Sequence, residues 1–221
     1  MMENKVKVKI CGITRAEDLQ ASVMAGADFV GFVVDVHTSP RNITIEEADE
    51  LIKIAPSSVI KVVVTVFRNM ERLLEIYDRL RPDFMQVHAP PEKFEQIRKI
   101  AERVPIIKAV NISSDLPLEE ILREASIFKA ILVDSHVPGK YGGTGVIHNW
   151  NISRRIRDLI YPSPLILAGG LKPENVCEAI LAVRPFAVDV SSGVELRPGI
   201  KDKQKIISFI KEVKKAESLL N

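Results

Sequence analysis

Two periods of apolar and polar residues take turns along the whole chain. Val6, Val8 and Ile10 alternate with Lys7, Lys9 and Cys11, the period of two that a strand requires. Residues 16–25 then read as a helix, with Thr14 as N-cap and Gly26 just past its end. Residues 28–34 are nearly all apolar, as expected of a parallel strand buried on both faces. Further strands are expected at 60–67, 83–88, 105–110, 128–134, 164–168 and 186–190. Between them, helices are expected at 45–54, 70–80, 92–103, 118–125, 150–160 and 173–183, with a last one from 203 to 216 or beyond. Thr44 with Glu47 has capping-box spacing, while Arg81-Pro82 and Pro90-Pro91 punctuate. Three stretches, 35–42, 135–149 and 191–198, read as longer loops. No linker or low-complexity tract interrupts the order, so residues 1–221 read as one domain. Eight strand–helix pairs in sequence imply a single-domain (β/α)8 TIM barrel. The competing open, doubly wound sheet normally carries a glycine fingerprint after its first strand, and Cys11-Gly12-Ile13-Thr14 is not one.

Composition narrows the partners. Lys plus Arg number 31 against 29 Asp plus Glu, a balance that speaks against nucleic acid or an anionic membrane as partner. No apolar run approaches the ~20 residues of a membrane span. Two cysteines, Cys11 and Cys177, cannot form a disulfide framework and fit a reducing, cytoplasmic setting. Monomer and homodimer both remain open. With 46% apolar residues in 221, a large core is readily buried.

In a barrel, functional groups gather where strands end. The first strand ends in Cys11, in phase with Lys9; it reads either as a thiol with thiolate character or as a small buried hydrophobe. Asp134 closes an otherwise uncharged run, either as a buried general acid or as a turn cap. Asp189 sits similarly between Val188 and Val190. Arg41, on a loop over the mouth, has the geometry to clamp a carboxylate or phosphate, or is simply solvated. Gly143, Thr144 and Gly145, then Gly169 and Gly170, then Ser191, Ser192 and Gly193 place three glycine-rich turns on one rim, suited to a phosphate. No nucleotide P-loop is present, and the scattered His37, His88, His136 and His148 lack metal-ligand spacing. Lys9, with Lys61 and Lys108, is in phase to point inward, but none ends a strand as a Schiff-base lysine would. The substrate expected is a small phosphorylated molecule undergoing proton transfer.

Specific motifs sharpen this. Lys9-Ile10-Cys11-Gly12-Ile13-Thr14 is followed by Gly26-Ala27-Asp28, Ser39-Pro40-Arg41, Gln86-Val87-His88 and Val133-Asp134. Tyr141-Gly142-Gly143-Thr144-Gly145, Leu167-Ala168-Gly169-Gly170-Leu171 and Val188-Asp189-Val190-Ser191-Ser192-Gly193-Val194-Glu195 complete the series. Together they resemble the phosphoribosylanthranilate isomerases of tryptophan biosynthesis, over almost the whole chain. The resemblance implies a (β/α)8 fold and a cofactor-free Amadori rearrangement. In that chemistry N-(5-phosphoribosyl)anthranilate becomes 1-(2-carboxyphenylamino)-1-deoxyribulose 5-phosphate. It also implies Cys11 as general base, Asp134 as general acid, Arg41 and Asp189 as substrate contacts, and the glycine-rich rim as phosphate site. Three features depart from the family pattern: Ala89-Pro90-Pro91 after His88, His148-Asn149-Trp150, and His136 close to Asp134. A lyase acting on an indole or sugar phosphate, or a non-catalytic phosphosugar-binding barrel, are the alternatives.

Overall fold

The computed structural model describes residues 5–112, 118–135 and 148–220. Its eight barrel strands are β1 (Lys7–Cys11), β2 (Phe29–Val34), β3 (Ile60–Val66), β4 (Phe84–His88), β5 (Ile106–Ile112), β6 (Ala130–Ser135), β7 (Leu165–Leu167) and β8 (Ala187–Val190). All neighbours pair in parallel around the ring, and β1 closes it by pairing with β8 on one side and β2 on the other. The connecting helices are α1 (Ala16–Ala25), α2 (Ile45–Ile54), α3 (Met70–Leu80), α4 (Phe94–Ala101), α5 (Leu118–Ala125), α6 (Trp150–Ile160), α7 (Val176–Val183) and α8 (Lys203–Leu220).

The all-apolar strands are explained by two cores. Val8, Ile10, Val30, Phe32, Val63 and Met85 face outward and pack with the helices. Phe29, Val62, Leu132, Ile166 and Ala187 face inward and fill the barrel, so neither phase is free to be polar. The inward phase is polar chiefly toward the C-terminal ends of the strands. That is where the cavity described below opens.

Several boundaries differ from the pattern-based reading for local reasons. Arg15, in extended backbone, is the N-cap of α1, and the Thr14 hydroxyl instead donates to the Gly199 carbonyl at 2.6 Å. α2 does begin with the expected capping box of Thr44 and Glu47. A 3-10 turn, Pro91–Lys93, precedes α4. The start of α7 is delayed to Val176 because Asn175 is tied to the preceding turn. Its side chain accepts from the Lys172 N–H and donates to the Gly170 carbonyl. The loop after β8 is partly ordered as an antiparallel hairpin of Glu195–Arg197 with Ile200–Lys201, which the pattern does not predict.

The inward placement of Lys61 and Lys108 is wrong. Their neighbours Val62, Val64, Ile107 and Ala109 occupy the inner phase, whereas Lys61 pairs with Asp83 at 3.1 Å and Lys108 lies 3.9 Å from Glu124 of α5. Lys9 alone of the three points inward. Among the described residues, no helix is long and apolar enough to cross a membrane.

Candidate active site

At the C-terminal end of the barrel lies an open cleft of about 690 Å³ when the space that merges with solvent is counted. Cys11, Asp134 and Asp189 all line it, as do Gln86 and His88 from β4. The strand-end rule therefore brings together residues up to 178 positions apart, from Cys11 to Asp189.

β1 and β8 run side by side with Lys9 opposite Asp189. Lys9 is wholly buried, and its Nζ donates to Asp189 Oδ1 at 2.9 Å. Burial works against the ammonium, but the charges of Asp189 and Cys11 outweigh it and raise its pKa. One pleat farther on is Cys11. Burial pushes its thiol up, and Lys9 and Lys201 pull against that. Gly12 turns the chain away with φ +75°, where a Cβ would stand 2.5 Å from Arg41 Cδ.

Opposite Cys11 in the barrel wall is Gly31. A Cβ there would stand 2.8 Å from Cys11 Sγ and 3.2 Å from Lys9 Nζ. The missing side chain is thus what lets thiol and ammonium share one pocket. Gly31→Ala should lower turnover at least about tenfold while the protein still melts cooperatively, since a displaced reactive group is penalised steeply. Steady-state kinetics alongside thermal melting checks this, and unchanged kcat would show that Cys11 has room to spare.

Asp134 ends β6 with its Oδ1 accepting from the Ser135 N–H at 2.8 Å. Burial raises its pKa from 3.8 to about 6, with Asp189 adding to the rise and the Ser135 hydrogen bond and Lys9 opposing it. Asp134 thus caps locally and is also a buried carboxyl whose pKa is raised toward neutrality. His88 is the reverse case: burial, then the charges of Lys108 and Lys9, lower its pKa to about 3 and keep the imidazole neutral. It lies 3.2 Å from Gln86 Nε2.

Arg41 is not a solvated loop residue. It is buried, and its Nε and Nη2 donate to the two carboxylate oxygens of Glu195, each at 2.7 Å, while the side chain still lines the cavity. Gly169, Gly170, Ser191 and Ser192 also line the cavity, with Ser191 close to Arg41 across Gly12. Gly193 is not part of that wall; it packs against the Leu171 carbonyl, where a Cβ would come within 1.9 Å. Gly143, Thr144, Gly145 and His136 lie outside the described residues. Among the described residues, no group of three or more His, Cys, Asp or Glu is arranged to hold a metal ion.

Chemically, this is a cavity with a buried thiol next to an ammonium, a carboxyl poised near neutrality, a guanidinium, and a serine–glycine rim. It suits transfer of protons to and from a small anionic substrate. The family model for N-(5'phosphoribosyl)anthranilate (PRA) isomerase matches residues 8–212. The chain belongs to the phosphoribosylanthranilate isomerase family.

Among members of that family, the N-(5'-phosphoribosyl)anthranilate isomerase 1 of Methanosarcina mazei is 42% identical, the alignment covering 98% of each chain. The crystal structure of phosphoribosyl anthranilate isomerase from Thermotoga maritima superposes with a TM-score of 0.84 at 43% identity, covering 95% of this chain and 99% of that one. A phosphoribosyl anthranilate isomerase in complex with reduced 1-(o-carboxyphenylamino)-1-deoxyribulose 5-phosphate superposes at 0.81 with 42% identity, covering 95% and 99%.

Sequence reasoning missed the roles of Glu195 and Lys201 in the Arg41 cluster, as well as the contact of His148 with Ser135 at 3.1 Å. A signal for the first two was present. Glu195-Leu196-Arg197 and Ile200-Lys201 flank Pro198-Gly199, a turn dipeptide between short strands.

Proposed function

We propose that the chain isomerises N-(5'-phosphoribosyl)anthranilate to 1-(2-carboxyphenylamino)-1-deoxyribulose 5-phosphate with Cys11 and Asp134 as its proton-transfer pair. The observation that carries the assignment is that the two groups line one cavity, each buried and each within reach of the charges of Lys9 and Asp189. Protonated Asp134 gives its proton to the furanose ring oxygen as the C1–O bond breaks and the amine lone pair forms an iminium. Cys11, as thiolate, removes the C2 proton, and that electron pair forms the C1=C2 bond of an enolamine, neutralising the nitrogen. Loss of the C2 hydroxyl proton and protonation at C1 then give the aminoketose. Arg41 takes the anthranilate carboxylate, Asp189 holds Lys9 beside the thiol, and the rim of Gly169, Gly170, Ser191 and Ser192 takes the phosphate. Anchoring both ends of the substrate places the reacting carbons between base and acid. The reaction runs in the cytoplasm, a reading supported by the free state of Cys11 and Cys177.

Loss of anthranilate fluorescence on mixing the protein with phosphoribosylanthranilate, without added cofactor, tests the activity. No change in signal at micromolar enzyme would refute it.

The two pKa directions fix a pH profile. At neutral pH the favoured arrangement has the proton on Cys11 and Asp134 ionised, whereas the reacting arrangement has the proton on Asp134. The two arrangements carry the same net charge, so their ratio does not change with pH. Below about pH 6 a second proton arrives on Asp134 while Cys11 keeps its own, and the competent fraction falls. We therefore expect kcat/KM to be level at neutral pH and to drop about tenfold per unit well below pH 6. An acid limb centred at the ordinary aspartate value of 3.8 would contradict the assignment.

A further inference from the structure

A buried charge cluster stands behind Arg41, and it does not take part in proton transfer. In the hairpin after β8, Glu195 pairs across the strands with Lys201, and both side chains are buried. Lys201 Nζ donates to Glu195 Oε1 at 2.9 Å and to the Ser191 carbonyl at 3.1 Å. Burial lowers the Lys201 pKa, and the charge and hydrogen bond of Glu195 oppose that fall and favour the ammonium. The other side of the same carboxylate is the bidentate grip on Arg41. The hairpin itself is fastened at its tip by Thr14 on Gly199, and at its end by the Lys201 N–H donating to Asp18 Oδ2 at 2.9 Å.

The charges in this cluster have a consequence. Arg41 and Glu195 alone form a neutral pair, and an anion arriving at Arg41 would gain little from it. Lys201 brings the cluster to a net single positive charge. We infer that Lys201 is a positioning residue that balances Glu195, so that Glu195 can orient Arg41 without cancelling its attraction for the substrate's carboxylate. Glu195 supplies the geometry and Lys201 restores the charge. The inference rests on the proposed role of Arg41 as the carboxylate contact.

The test is a charge cycle read in KM for phosphoribosylanthranilate. Lys201→Met, which leaves the cluster neutral, should raise KM roughly tenfold to a hundredfold. Lys201→Met combined with Glu195→Gln returns the cluster to one positive charge with an amide still able to accept from Arg41, and KM should fall back most of the way. Lys201→Arg should stay within a few-fold of the unaltered protein. A merely structural role predicts the opposite for the double variant, namely harm at least as great as the single change. If Lys201→Met does not fold, the double variant is compared with the unaltered protein instead, and a KM raised tenfold or more in it overturns the inference. A double variant with KM no better than that of Lys201→Met, or a Lys201→Met variant with unaltered KM, overturns the inference. Arg41→Met separates the underlying reading: unchanged KM there means that Arg41 does not take the carboxylate. A rise with Arg41→Met and none with Lys201→Met overturns the role of Lys201 alone.

Discussion

Cys11→Ala and Asp134→Asn should each lower kcat by about three orders of magnitude, and combining them should cost little more than either alone. General acid–base groups typically contribute 10²–10⁴-fold, and two groups that act on one proton circuit are not multiplicative. Retention of near-normal turnover by either variant would sink the pair. Cys11→Ser is the sharper comparison with a lyase-type barrel using carboxylates only, since that reading predicts little loss.

The same Asp134→Asn variant has an expected effect of opposite sign on stability. Asp134 titrates in the folded protein at about 6, above its ordinary 3.8, because its charged form is buried. A raised carboxyl is most favourable to the fold while protonated, at pH below the unfolded value. That contribution is lost as pH rises through about 6. Two pKa units correspond to at most about 3 kcal/mol at pH 8. Asparagine never ionises, so the variant should be the more stable protein at pH 8, and the two should converge near pH 4. Denaturant midpoints at the two pH values check this. A gain in stability for Asp134→Asn, coupled to its loss of turnover, marks a carboxyl kept for chemistry at the expense of stability.

The legibility of these features in the sequence follows from the kind of contact each depends on. Barrel closure needs only eight repeats of a local alternation, and the positions of Cys11, Asp134 and Asp189 follow from which residues end strands. Strand phase is harder. In Ile60-Lys61-Val62-Val63-Val64 both phases are apolar because both are buried, so periodicity could not tell that Lys61 points outward. The same symmetry misplaced Lys108 in Ile106-Ile107-Lys108-Ala109. The environment of Arg41 was out of reach for another reason. Its partner Glu195 lies 154 residues away, on a hairpin held partly by a Thr14 hydroxyl whose local pattern reads as a helix cap. Cys11 shows the limit of local chemistry. Its neighbours Lys9 and Gly31 explain how thiol and ammonium come together, yet burial still dominates its pKa.

That balance makes Lys9 the position with the largest expected combined effect. Lys9→Met leaves Asp189 buried without its counter-charge, at a cost of about 3–5 kcal/mol. It also removes the nearest positive charge opposing the burial of Cys11, so the thiol should titrate higher still and kcat should fall with it. Stability and reactivity can be separated by a second change. Lys9→Met with Asp189→Asn removes the stranded charge and should recover most of the lost stability, whereas turnover should stay low because the thiolate remains unsupported. Ultraviolet thiolate absorbance against pH, in a Cys177→Ser background that leaves Cys11 as the sole thiol, reads the shift directly. If the double variant regained both stability and turnover, Lys9 would be merely the structural partner of Asp189, and Lys201 and the substrate would have to support the thiolate without it. The iminium formed on ring opening, on the carbon bonded to C2, would then add its positive charge to that of Lys201 in drawing the proton to the thiolate.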